Sequence, residues 1–197
     1  MSMSPERTCF GPIHKVSTPL TSSETNFLAE YMHDHLGHMK AGLNRIHGTD
    51  HMSEVEEFFF RLGEGIGQEI LFKNLNPHVV IGISEGGWAV AEGIGSATNA
   101  EVIHANTGRN KAVDMPILDP SIDFKRFGVG VIAEDIIHHG VQFRAVMNEI
   151  RRCNPEIELI GGTAFANYMS AASLEIPIFA AHVREQNPRS YLMEMLD

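Results

Sequence analysis

Two adjacent acids, followed by two histidines and a glycine, are the residues of this chain best suited to chemistry. Residues 134–142 read Glu-Asp-Ile-Ile-His-His-Gly-Val-Gln and follow an apolar run at 128–133. Carboxylates at the end of a strand can bind sugar hydroxyls or a hydrated Mg²⁺, and free N–H groups where a helix begins can hold a phosphate. The order of strand, acid pair and glycine turn therefore favours a site for a sugar phosphate.

A second turn of small residues follows an earlier apolar run. Ser84, Glu85, Gly86 and Gly87 come after the β-branched stretch at 78–84 and precede a helical pattern. The carboxylate of Glu85 would repel an anion, so we predict that any anion binds here through backbone N–H groups alone. A strand-to-helix turn that requires small residues for packing is the alternative interpretation.

Alternating strands and helices must position these residues. We predict strands at 78–84, 101–105, 128–133, 157–163 and 177–183, helices at 87–98, 140–152 and 167–174, and a long loop at 106–127. This alternation is typical of an α/β fold with a parallel sheet and helices on both faces. Ligands of such folds bind beyond the carboxyl ends of the strands. Upstream, residues 21–72 have helical periodicity, with capping boxes at 21–24 and 53–56.

Composition limits the classes of function. The 197 residues fit one domain, and a net charge of −10 argues against a nonspecific nucleic-acid binder. No apolar run approaches the roughly 20 residues that span a bilayer, and residues 1–10 lack a signal-peptide pattern. The only cysteines, Cys9 and Cys153, are predicted to be free thiols. We therefore expect a cytoplasmic protein with neither a nucleic-acid nor a membrane partner.

The segment at 131–143 resembles the phosphoribosyl pyrophosphate (PRPP) signature of type I phosphoribosyltransferases. In that family, hydrophobic residues precede two acids, two apolar residues, and a turn of threonines and glycines. The resemblance implies that Glu134 and Asp135 hold the 2′ and 3′ hydroxyls of ribose as catalytic groups. It also implies that the turn binds the 5-phosphate through His138, His139, Gly140, Val141 and Gln142.

The resemblance extends over residues 78–183 and implies further roles. Residues 84–87 would bind pyrophosphate, and 107–126 would be a mobile loop whose Arg109 and catalytic Lys111 reach it, although these two residues fit solvated loop charges as well. Mg²⁺ would bridge pyrophosphate and ribose oxygens. Residues 1–72 would form a mainly helical N-terminal hood over the base, with the α/β core at 73–197. The Glu-Asp pair and this hood are similar to those of orotate phosphoribosyltransferases, and relatives commonly form homodimers.

The turn departs from the family pattern, in which Thr-Thr-Gly-Gly-Thr is usual. Val141 stands where a glycine is common, and valine fits poorly where φ is positive, so we expect a reshaped turn. His138 and His139 would either replace hydroxyls as pH-sensitive donors or block the phosphate pocket.

Two functions stay open: a transferase of phosphoribose between PRPP and a base such as orotate or another nucleobase, and a non-catalytic protein that binds PRPP or a nucleotide. A sugar-phosphate enzyme with a different leaving group is a more distant alternative.

Two other groups of residues have simpler interpretations. We assign Trp88 and the phenylalanines at 58–60 to the core or an interface, with base stacking left open. Histidines cluster near the predicted hood without the spacing of a metal motif, so we predict surface histidines and no dedicated metal site. They are His33, His35, His38, His47 and His51.

Overall fold

The computed structural model describes residues 11–16, 49–108 and 115–184. Its strands form one seven-stranded sheet in the order β1-β7-β6-β5-β2-β3-β4. Six strands are parallel, and β4 pairs antiparallel with β3. The strands are β1 (Ile13–Lys15), β2 (Val79–Ile83), β3 (Glu101–Gly108), β4 (Met115–Ile117), β5 (Val129–Ile137), β6 (Glu158–Asn167) and β7 (Ile178–Arg184). The predicted α/β fold with a parallel sheet is confirmed.

Helices cover both faces of this sheet. They are α1 (Thr49–Phe72), α2 (Ser84–Thr98), α3 (Val141–Cys153) and α4 (Tyr168–Ala172), with a short 3₁₀ turn at Phe124–Arg126. On one face, Ile81 and Ile132 pack with Phe143 of α3. On the other, Val80 and Val131 pack with α1 and α2. Alternate strand residues thus supply two separate cores, as the period of a strand requires.

Two elements near the candidate site are longer than predicted. β5 was expected to end at residue 133, but its pairing with β6 continues through Ile137↔Ala166. Consequently Glu134 and Asp135 lie within a strand and not in the loop that follows it. α2 was expected to begin at residue 87 but begins at Ser84. Its N-cap, Ile83, provides no side-chain hydrogen bond, so the usual capping signal is missing from the sequence.

The predicted loop at 106–127 is wrong in its first half. β3 runs to Gly108 and forms a hairpin with β4, with Asn106 opposite Ile117 and Gly108 opposite Met115. The 3₁₀ turn then leads into β5, and buried Asn154 holds it by donating to the carbonyls of Phe124 and Phe127. Residues 109–114, which connect the two strands of the hairpin, lie outside the described residues.

The N-terminal region contributes directly to the core. β1 was not predicted, since three residues give no periodicity; it pairs with β7. α1 contributes fully buried Phe59 and Ile66 to the same cluster as α2. The remainder of the predicted hood, and most of its histidine cluster, lies outside the described residues, so the hood itself stays a prediction. Among the described helices, none combines the length and the apolar composition that a membrane span requires.

Candidate functional site

Two helices begin side by side at the carboxyl edge of the sheet. β2 and β5 are parallel neighbours, with Gly82 opposite Ala133. β2 passes directly into α2, while β5 passes through a short turn into α3. The first N–H groups of each helix have no partner within the helix. The sheet therefore brings the starts of both helices to one edge, on either side of the acid pair.

Two glycines bring α2 close to β5. A Cβ atom on Gly87 would lie 2.8 Å from the carbonyl oxygen of Ala133, and one on Gly86 would overlap Oδ2 of Asp135. Larger residues at either position would therefore push the helix away from the acids. The small residues predicted to serve an anion site thus have a packing role as well. Residues 84–87 therefore fit both predicted roles, an anion site and a turn that needs small residues for packing. The same backbone packs against Asp135 and forms the start of α2.

The acid pair is buried and divided between the faces of the sheet. Glu134 and Asp135 are each 7% exposed. The Asp135 carboxylate contacts the first turn of α2 at Gly86. Since neighbouring residues of a strand point to opposite faces, Glu134 lies on the other side. Asp135 is therefore the better placed of the two to meet a ligand at the start of α2.

Glu134 lacks compensation for its burial. Its Oε2 atom is buried and has no hydrogen-bond partner among the described residues. Burial, and secondly repulsion from Asp135, raise the pKa of Glu134 well above its ordinary value. An unpaired buried carboxyl oxygen is costly, and a buried carboxyl with a raised pKa is a candidate functional group.

The histidine turn is compact and capped by glycine. Gly140 has φ of 65° and is the N-cap of α3, a conformation that favours glycine. Val141 is the first helical residue, and no positive φ falls on it. The expected strain at valine is therefore absent, because the one left-handed position of the turn coincides with its one glycine.

The two imidazoles of the turn lie against each other. Their ring centroids are 3.9 Å apart, and Nδ1 of His138 is buried with no partner among the described residues. Burial, and secondly the neighbouring His139, lower the pKa of His138. His138 therefore provides an unsatisfied ring nitrogen, while His139 is exposed.

Solved structures resemble this fold at low sequence identity. The AQ2163 protein from Aquifex aeolicus matches with a TM-score of 0.57 at 15% identity, covering 87% of this chain and 86% of that one. Purine phosphoribosyltransferase from Pyrococcus horikoshii matches with a TM-score of 0.52 at 15% identity, covering 64% and 83%. Adenine phosphoribosyltransferase from Trypanosoma brucei, in complex with AMP, pyrophosphate and ribose-5-phosphate, matches with a TM-score of 0.51 at 12% identity, covering 69% and 68%.

The chain has the type I phosphoribosyltransferase fold. No family model matches the sequence, and the search of curated proteins finds no match. The similarity to known proteins is therefore one of fold, and the roles of the site residues depend on their geometry in this chain.

Some of the predicted site residues lie in parts of the chain that the structure does not describe in full. Arg109 and Lys111 lie outside the described residues, and only the backbone of Ser84 and Glu85 is described. Gln142 is the second residue of α3. Trp88 stacks on His104 with 4.8 Å between ring centroids, which places its ring within the packing of α2 against β3, in line with the predicted core or interface role.

Two residues that no sequence pattern indicated contact the histidine turn. Arg144 of α3 contacts the carbonyl of His139, and Ser170 of α4 contacts the carbonyl of His138. Arg144 follows Gly140 by one helical turn, a spacing that brings it back to the start of α3. Ser170 carries no comparable signal, because only the tertiary fold brings β6 and its helix beside the turn.

Proposed function

We propose that this protein is an enzyme that transfers phosphoribose between PRPP and a nitrogenous base, with release of pyrophosphate. The observation that carries the proposal is the buried pair Glu134–Asp135 between the starts of two helices. A ribose needs hydroxyl acceptors, and its two phosphorylated ends need anion sites. The carboxylates and the two helix N-termini would supply these together.

Each part of the substrate would meet a different element. The 5-phosphate would bind at the turn 138–142, and the ribose hydroxyls would bind the acids, with Asp135 foremost. Pyrophosphate would bind the backbone at the start of α2, where Arg109 and Lys111 of the predicted mobile loop would reach it. The base, orotate or another, would enter from the side of the predicted hood.

The reaction would require little covalent chemistry from the protein. The bond between ribose C1 and the pyrophosphate oxygen breaks, and pyrophosphate leaves with the electron pair. A bond from C1 to a ring nitrogen of the base forms, and that nitrogen gives up its proton to the departing pyrophosphate or to water. Positive charge develops on the ribose in between, and an ionised Asp135 beside it would stabilise that charge. The rest of the rate enhancement would come from holding the base and PRPP in line for the reaction.

A magnesium ion shared with substrate would have Asp135 as its protein ligand, because carboxylate oxygens are suitable Mg²⁺ ligands and Asp135 is the acid that lies at the start of α2. The described residues hold no group of three or more possible ligands, so the ion would rely on substrate oxygens and water as well. When bound, it would neutralise charge on the leaving pyrophosphate.

Replacing Asp135 with asparagine tests the proposal directly. Asp135→Asn removes the charge and keeps the shape, so we expect PRPP affinity in the presence of Mg²⁺ to fall at least about tenfold, or about 1.4 kcal/mol. Calorimetric titration measures it. Asp123→Asn is the matched control, because Asp123 caps the 3₁₀ turn before β5 and an asparagine still accepts that hydrogen bond. Equal PRPP affinity in the two variants would remove the basis of the proposal.

A non-catalytic role is the second candidate, favoured by the histidine turn. Threonine hydroxyls are absent there, and His138 presents a buried ring nitrogen instead. A protein of this kind would bind PRPP or a nucleotide and signal its presence without turnover. Tight PRPP binding with no pyrophosphate release on any of the common nucleobases would favour this role over the enzyme.

A further inference from the structure

Three consecutive carbonyl groups of the histidine turn accept hydrogen bonds from residues of α3 and α4. The hydroxyl of Ser170 donates to the carbonyl of His138 at 2.6 Å. The guanidinium Nη2 of Arg144 donates to the carbonyl of His139 over a longer 3.4 Å. The backbone N–H of Arg144 donates to the carbonyl of Gly140 at 2.9 Å. The backbone of the turn is thereby bound to α3 and α4.

These hydrogen bonds orient three peptide groups of the turn, and so they also set the direction of the N–H group of each peptide. None of the described peptide bonds is cis, and in a trans peptide the carbonyl and the following N–H point in opposite directions. The N–H groups of His139, Gly140 and Val141 must therefore point away from Arg144 and Ser170. Successive N–H groups beside a left-handed residue form a concave anion site, and Gly140 is left-handed.

Arg144 is itself held in place by neutral oxygens. Its Nη1 donates to the carbonyl of Ser173 at 2.9 Å and to the hydroxyl at 3.2 Å, and its Nη2 donates to the same hydroxyl at 3.2 Å. The hydroxyl of Ser173 in turn donates to the carbonyl of Ser170 at 2.7 Å. The planar fork of an arginine is needed to serve these acceptors together, and a lysine cannot replace it.

We propose that Arg144 and Ser170 are positioning residues for the 5-phosphate of a phosphoribosyl ligand. By holding the carbonyls of the turn, they aim its N–H groups at the phosphate, and the guanidinium adds a positive charge behind the turn. Neither side chain needs to touch the ligand. This inference rests on the proposed function, because it assigns a support to the phosphate subsite of that function.

Four variants test the positioning role. Arg144→Lys keeps the charge but not the fork, and Ser170→Ala removes the hydroxyl, while Ser170→Thr restores it. Arg152→Lys is the matched control, since Arg152 lies on the same helix, exposed and paired with Glu149. The ligands are ribose 5-phosphate and, separately, inorganic pyrophosphate with Mg²⁺, both measured by calorimetry.

We expect a selective loss of affinity. Ribose 5-phosphate should bind at least about tenfold more weakly to Arg144→Lys and Ser170→Ala, and within about twofold of the parent to Ser170→Thr and Arg152→Lys. Pyrophosphate affinity should stay within about twofold in all four, because its expected subsite is at α2. A general structural defect would instead weaken both ligands.

Three outcomes would overturn the inference, and they separate it from the proposed function. Unchanged ribose 5-phosphate affinity in Ser170→Ala would remove the positioning role alone, as would equal losses for both ligands. If Arg144→Lys does not fold, the alanine and threonine variants of Ser170 decide the matter. A parent protein that binds neither ribose 5-phosphate nor PRPP would refute the proposed function itself.

Discussion

At the scale of single residues, Glu134 sets the strongest conflict between stability and function. Its Oε2 atom is buried without a hydrogen-bond partner among the described residues, and burial and Asp135 raise the pKa of Glu134. The folded protein therefore keeps a proton that the unfolded chain loses. Stability from this group is complete below the ordinary glutamate pKa and is lost as pH rises through the raised one.

Glu134→Gln should remove that pH dependence. We expect the free energy of unfolding of the variant, relative to that of the parent, to be higher at pH 8 than at pH 5, because only the parent loses stability as its buried carboxyl ionises. Chemical denaturation at both pH values measures the difference. Glu158→Gln, at an exposed position that begins β6, is the control and should change equally at both. A gain no larger than that of the control would contradict the burial argument.

The histidine turn should make phosphate binding depend on pH. In the free protein burial and His139 lower the pKa of His138, whereas a phosphate dianion nearby would raise it. The start of α3 and the Arg144 guanidinium oppose protonation, but the phosphate would be the nearer and larger charge. Binding would then take up a proton, so ribose 5-phosphate should bind severalfold more tightly as pH falls from about 8 to about 6, near the ordinary histidine pKa of about 6.5.

Unphosphorylated ribose provides the control for this trend. Its binding should not change over the same range, and the trend is best measured above about pH 6, where the phosphate itself takes up a proton. Replacing both histidines with threonine should flatten the dependence while keeping or improving affinity. A pH-independent parent, or a double variant that no longer binds ribose 5-phosphate, would mean that the turn is not a phosphate site.

At the scale of elements, the segment 107–126, which includes part of the hairpin β3–β4, is the predicted mobile loop over the site. If it closes over PRPP, ligand should protect it from proteases. Trypsin cleaves after arginine and lysine, so Arg109 and Lys111 are suitable reporters. We expect PRPP with Mg²⁺ to slow cleavage there at least severalfold, measured by mass spectrometry of the fragments. Cleavage after Arg152, far along α3, is the control, and equal rates with and without ligand at 109–111 would count against a cover.

The sequence predicted most elements of the core but misplaced the ends at the site. Buried strands such as β2 and β6 are continuous apolar runs, so their existence could be read directly. The extension of β5 through the acids could not, because Glu134 and Asp135 look like residues of a loop and only pairing with β6 keeps them extended. The hairpin was missed since three-residue β4 has too little periodicity to detect.

The candidate site was predictable only where its residues are consecutive. The pair Glu134–Asp135 and the glycine of the turn are neighbours along the chain, so their pattern was visible. The approach of Gly86 to Asp135 and the bond from Ser170 to His138 join distant segments, and no spacing in the sequence reports them. A family resemblance supplied the first expectation, and the fold supplied the partners that the pattern could not.

At the scale of the whole molecule, charge should govern self-association. The resemblance predicts a homodimer, while a net charge of −10 makes two copies repel each other over distances that salt screens. We therefore expect sedimentation to give a species of twice the 21.8 kDa chain mass at about 0.3 M salt, with more monomer at about 0.01 M. A monomer at both salt concentrations and at high protein concentration would contradict the dimer.

The pairing of β1 with β7 affects how the chain can fold during its synthesis. Ile13 lies beside Ile178, so one edge of the sheet joins nearly the first described residues to nearly the last. During translation at about 5–20 residues per second, that edge stays open for on the order of ten seconds or more after residue 13 is made. Until then β1 has no strand to join, and a nascent chain exposes the unpaired edge to its neighbours. Placing 11–16 after residue 184 by circular permutation, with a linker of about a dozen residues or more because β1 and β7 are parallel, would make this pairing more local in the chain and should speed the final step of folding.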